Sequence, residues 1–389
     1  MGWQNKTTTP PDPATEPDES FWFRPPWDTE PADDMPGLAP LPCPDHPPGQ
    51  AATDIAALLR PLAEASATLA RLDARLDSAA PDLAEGLRAR LALREAAGWL
   101  AHQHGSWVHP TDLGLREAGL TGSVTAAALS GRLRRALPAT TAAATPPEAV
   151  AQDLAVAQAL RFGRWWRRLA EHHTWSPLAD AASLRPLLGQ LGGQEPAEEL
   201  LADWLSRFSG RSPATSRPDT IPALLHAGQA AQAWAVWEQA APARLDRLPT
   251  AAVFLAACLW RRHGNTPTVA LPFWSAPPRQ LEALALATGP AWRAGFLAAV
   301  AEAAQRAGQE LTRLQAAAGR AADVRRTSRS HLPEAVSLAL RAPVLTAAGL
   351  ATRLRISHQA ATGLLRQMVA AGVLQEATGR AAWRAFSVK

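Results

Sequence analysis

The sequence predicts an all-α protein: an irregular helical body closed by three short helices and a small β-hairpin. Three observations carry this expectation. From Thr53 onward, leucine and isoleucine recur at three- and four-residue spacing, the period of one helix face. Proline and glycine stand at the joints between these runs. Near the end, ISHQAATGLLRQMVAAGVLQEATGRAAWRAF turns from helical spacing to two short extended runs around Thr378-Gly379-Arg380.

Residues 1–50 hold thirteen of the 34 prolines, with nine acids against two bases. Proline removes backbone donors and blocks helix continuation, so this stretch reads as a disordered, Pro-rich acidic arm. One island interrupts it, Phe21-Trp22-Phe23-Arg24-Pro25-Pro26-Trp27, which is expected to dock onto the protein's own body or, as the alternative, onto a partner.

Residues 51–326 read as an all-α domain of unknown role. Its first helix carries Ile55, Leu58, Leu59, Leu62, Leu69 and Leu72, and a second runs from Pro81 to His104. Further helices are expected near 122–137, 148–173, 196–208, 222–240, 249–263 and 279–289, then a long one over about 290–326. No strand pattern and no fixed-period repeat is visible here. Eleven of the fifteen tryptophans fall in this region, and at helical spacing they are expected to fill helix–helix contacts.

Composition narrows the function classes. With 47% hydrophobic residues the chain can bury a sizeable core. No run of about 18 apolar residues exists, so no membrane span is expected. The start, MGWQNKTTTPPDP, lacks the basic-then-apolar order of a signal peptide. Cys43 and Cys258 lie far apart and form no metal-type spacing, which fits a reduced, cytoplasmic setting. Charge is uneven. Residues 320–389 hold eleven bases and three acids, a balance of +8, whereas residues 1–50 stand at −7. An acidic tail and a basic end on one chain point to a polyanion partner.

Residues 327–389 carry that basic end. Pro333 suits a helix's first position, and Glu334 beside it complements the dipole. A helix over Pro333–Arg341 follows and Pro343 stops it. Thr346 can cap a second helix, Ala347 to Leu354, and Ser357 a third. In the third, Ala361, Leu364, Leu365 and Met368 share one face. Gln359, Thr362, Gly363 and Arg366 share the other. Gly372 ends it. Val373–Glu376 and Ala381–Phe386 make the hairpin. Three helices and such a wing predict a winged helix-turn-helix. Ser357, His358, Gln359, Thr362 and Arg366 on the third helix, with Arg380 and Arg384 on the wing, are the expected DNA-contacting residues. Small residues admit a close approach to a groove. Gln, Thr, His and Arg reach base edges, and the wing arginines suit phosphate or the minor groove.

The segment LPEAVSLALRAPVLTAAGLATRLRISHQAATGLLRQMVAAGVLQEATGRAAWRAF resembles the helix-turn-helix DNA-binding domain that closes a family of uncharacterised alphaproteobacterial proteins, well represented in rhizobia. The segments ATLARLDARLDS and LRARLALREAAGWLAHQHG resemble the same family. The resemblance spans residues 51–137 and 245–389. It implies a layout similar to the flanks of Fic proteins, with a helical part followed by a winged helix. It implies DNA binding for the C-terminal end and no catalytic residues.

Fic enzymes use a motif of the form H-P-F-x-D-G-N-G-R. The nearest string here, His109-Pro110-Thr111-Asp112-Leu113-Gly114, lacks the second glycine and the arginine and reads as a capped loop before a helix. Arg262-His263-Gly264-Asn265 reads as a helix end. His102, His104, His109, His172 and His173 include no His-x3-His pair, so no metal site is expected. No phosphate loop of the G-x-x-x-x-G-K-[ST] type and no G-x-S-x-G elbow is present. The sequence therefore points to a non-enzymatic DNA-binding protein, a transcriptional regulator without a cofactor. Its expected partner is double-stranded DNA, with a homodimer as a second expectation and no membrane. The alternatives are a helical adaptor whose winged helix grips protein, and a degenerate Fic-like protein.

Overall fold

Helix α2 (Pro81–His104) is the strut on which the molecule is built. Its buried residues surround the helix instead of forming one stripe, from Leu83 through Leu87, Leu91 and Ala96 to Leu100. A helix buried on all sides lies at the centre of a core. The computed structural model describes residues 48–119, 146–171, 177–192, 195–209, 220–239, 247–263, 269–324, 330–378 and 384–389. Among them are thirteen helices and one small sheet, so the chain is all-α with a C-terminal helix-turn-helix. The acidic arm and its Phe21–Trp27 island, the helix expected over 122–137, and Arg380 lie outside the described residues.

The remaining body helices wrap α2. They are α1 (Pro48–Asp77), α3 (Pro110–Glu117), α4 (Pro146–Glu171), α5 (Ala181–Gly192), α6 (Glu198–Phe208), α7 (Thr220–Gln239), α8 (Thr250–His263), α9 (Pro278–Leu286) and α10 (Gly289–Ala322). Helix α8 is a second central element, buried without a break from Thr250 to Trp260. Helix α1 lies along α10, and Arg75 fastens the pair through Gly308 O at 3.1 Å and Thr312 Oγ1 at 2.8 Å. Most body tryptophans fill the core. Trp99 stacks on Phe162 at 5.3 Å and donates its Nε1–H to Thr250 Oγ1 at 2.9 Å. Trp107 differs, being about half exposed.

Two helices depart from the sequence expectation. Residues 110–117 are α3 rather than a loop: His109 caps it, its Nδ1 accepting from Thr111 N at 3.2 Å. Residues 181–192 are α5, although Pro186 stands inside it. Asp180 starts α5 by accepting from Ser183 N at 2.6 Å, and Leu184 and Leu188 are buried beneath it. Burial here outweighs the local cost of proline.

The C-terminal domain follows the order α11 (Leu332–Arg341), β1 (Leu345–Thr346), α12 (Ala347–Leu354), α13 (His358–Ala370), β2 (Leu374–Glu376) and β3 (Ala385–Val388). The strands form an antiparallel sheet in the order β1-β3-β2. The expected hairpin is thus a three-stranded sheet, and its last strand lies later than 381–386. Phe386 must face both Leu345 and Glu376, which sets that register. Residues 45–389 form one compact unit.

Candidate nucleic-acid interface

Each helix of the C-terminal domain is started by a local device. Ser330 Oγ accepts from Leu332 N at 3.2 Å ahead of α11. Thr346 Oγ1 accepts from Gly349 N at 3.0 Å and caps α12. Ser357 Oγ accepts from Ala360 N at 3.1 Å and caps α13. Between α12 and α13 the chain turns at Arg355, whose φ of 56° lies in the left-handed region. Among the described residues it is the sole non-glycine there. Arg355 ends α12 where glycine is the usual choice.

Helix α13 then presents two faces, as its spacing predicts. Ala361, Leu365 and Met368 are buried, with Leu364 half-buried. Ser357, His358, Gln359 and Arg366 are exposed, and Thr362 is half-buried. Gln359, Thr362 and Arg366 are three and four residues apart, so they line one side of the helix. A Cβ at Gly363 would meet only open space, so the middle of this face is low and accessible. Thr362 Oγ1 donates back to His358 O at 2.9 Å, which leaves its methyl and its acceptor lone pairs for a ligand.

Arg384 stands half-exposed just before β3, within 3.9 Å of Glu376 on β2. This exposed pair lowers the local positive potential but holds Arg384 only weakly. Arg353 and Arg355 are also exposed and were not singled out from sequence. Their signal was available: two bases flank the turn, and no glycine is present to make it.

The domain is fastened to the body through its first helix. Gly86 of α2 lets the two backbones meet, since a Cβ there would fall 2.0 Å from Leu340 O. Arg90, one turn on, donates to Leu340 O at 2.6 Å, Ala342 O at 2.7 Å and Ala339 O at 3.2 Å. It thereby satisfies the last carbonyls of α11, as a cation at a helix C-terminus should. Burial pulls its guanidinium down to about 10, so it stays charged at neutral pH. Arg320 of α10 donates to Gly372 O at 2.8 Å, pinning the turn after α13. These contacts hold one face of the domain and leave the outer face of α13 to solvent.

The histidines of the body take local partners. His102 Nε2 accepts from Leu248 N at 2.9 Å, and His104 sits edge-on to Trp99 at 5.4 Å. His172 and His173 lie outside the described residues.

A family model described as "HTH DNA binding domain" matches residues 332–388, from the start of α11 to the end of β3. The chain carries a C-terminal helix-turn-helix DNA-binding domain. No curated protein matches the chain. Among the described residues, no helix is long and apolar enough to cross a membrane.

Proposed function

We propose that this protein is a sequence-reading regulator of transcription. In this reading α13 lies in the major groove of duplex DNA and the β2–β3 wing follows the adjacent backbone. The observation that carries it is the outer face of α13: polar, low at Gly363, capped at Ser357 and pointing away from the body. Gln359 reaches a base edge, with Thr362 and Arg366 further along the same side. His358 and Ser357, at the helix N-terminus, meet phosphate, where free N–H groups and the dipole favour an anion. Arg384 and Arg380 serve the wing, and Arg353 and Arg355 add backbone contacts at the turn.

The test is fluorescence anisotropy with a labelled random-sequence duplex and the full chain. Binding is expected at low salt. Its log affinity should fall linearly with log salt, with a slope of about −3 or steeper, as at least three phosphates release their counterions. A protein that binds no duplex at low salt would instead use this face on another protein.

A further inference from the structure

An open cavity of about 690 Å³ lies at the seam between the helical body and the C-terminal domain. Its size falls within the usual range for small-molecule sites. The body supplies α2, the start of α3, the 274–278 turn and α10. The C-terminal domain supplies Gln375 of β2 and Ser387 of β3. None of its walls belongs to the outer face of α13.

The charge of the lining is lopsided. Arg90, Arg94, Arg306, Arg313 and Lys389 supply basic side chains, against one acidic side chain, Glu310. Arg94 spends one nitrogen on Glu310 at 2.6 Å, and Arg313 spends one at 3.2 Å. Arg306 gives one nitrogen to Ser275 O at 2.8 Å and one to Glu302 at 3.2 Å. A guanidinium has five N–H donors, so each of these three keeps donors for an anion. The apolar part of the wall includes Leu93, Leu281 and two tryptophans, Trp107 and Trp274. Trp107 is about half exposed, whereas Trp274 is wholly buried and its Nε1–H has no hydrogen-bond partner. An unsatisfied buried donor in a native fold calls for an explanation.

We infer that this cavity is a binding site for a small organic anion with an aromatic body, a carboxylate on a ring system being the simplest case. The acid group pairs with the spare donors of Arg313, Arg94 and Arg306, and the ring lies against Trp107. Through Gln375 and Ser387 the ligand touches the sheet of the DNA-binding domain directly.

Calorimetric titration of the full chain with 1-naphthylacetate tests this, with 2-(1-naphthyl)ethanol as the uncharged counterpart. The acid should bind at one site, and the alcohol at least about tenfold more weakly. Arg313→Glu and Trp107→Ala, both at exposed side chains, should each weaken the acid about tenfold or more while leaving the circular dichroism unchanged. No binding of the acid up to about 10 mM would overturn the assignment, as would binding that neither substitution alters. DNA binding by α13 is measured separately, so its failure and the failure of this site are distinct results.

Discussion

Glu95 places a carboxylate in the middle of the helical body, wholly buried. It accepts from Phe273 N at 3.0 Å, Trp274 N at 2.7 Å, Ser275 N at 3.2 Å and Ser275 Oγ at 2.6 Å. It therefore organises the turn that forms one wall of the cavity. Burial pushes its carboxyl up to about 6, against the four hydrogen bonds that favour the ionised form. Glu95→Gln puts an amide NH2 where only acceptors fit, and should cost about 1–3 kcal/mol in denaturant midpoint experiments. The pH dependence has a definite sign. A carboxyl raised in the folded state binds more protons folded than unfolded between its ordinary value near 4.5 and about 6. Wild-type stability from this group is therefore present at low pH and is lost as pH rises through about 6, by roughly 2 kcal/mol. The Gln variant lacks that loss, so the gap between the two proteins should narrow from pH 4.5 to pH 7. A gap that widens would contradict the assignment.

At the scale of elements, Arg355 holds the turn between α12 and α13 in a conformation that costs an ordinary residue about 1–3 kcal/mol. Arg355→Gly removes that strain but adds glycine's unfolded-state entropy, so stability should hold or rise by up to about 1 kcal/mol. Duplex affinity should nevertheless fall, because an exposed base at the domain's turn is gone. Thermal unfolding beside anisotropy separates the two effects, and an unchanged affinity would remove Arg355 from the interface. Helices such as α2, α8 and α13 were legible in the sequence because their apolar periodicity is long or their caps are explicit, as at Ser357 and Gly372. Helices α3 and α5 were not. The first is only eight residues long, and the second carries Pro186 and is sustained by burial of Leu184 and Leu188. Strand β1 is two residues long and exists only through its pairing with β3, which no local pattern announces. The face of α13 was legible through its period. The partnership of Arg384 with Glu376 was not, because it depends on the register across the sheet.

Across the whole molecule, the body and the C-terminal domain meet over α2 and α11 with Arg90 between them. Sequence periodicity marks both helices but does not show that a buried arginine on one ends the other, 250 residues away. The consequence is a DNA-binding domain whose inner side is held and whose outer helix face is free. Within that arrangement base contacts specify and phosphate contacts position. The direct test is a selection from random duplexes with the intact wild-type chain, Gln359→Ala and Arg384→Ala. The wild type should enrich a defined sequence. Gln359→Ala should relax choice at one base pair, by roughly 1–3 kcal/mol if its contact is bidentate. Arg384→Ala should enrich the same sequence as the wild type, bind all duplexes more weakly and lose about one unit of salt slope. A preferred sequence that changes with Arg384→Ala and not with Gln359→Ala would show the wing reading the bases, and would contradict the placement of α13 in the groove.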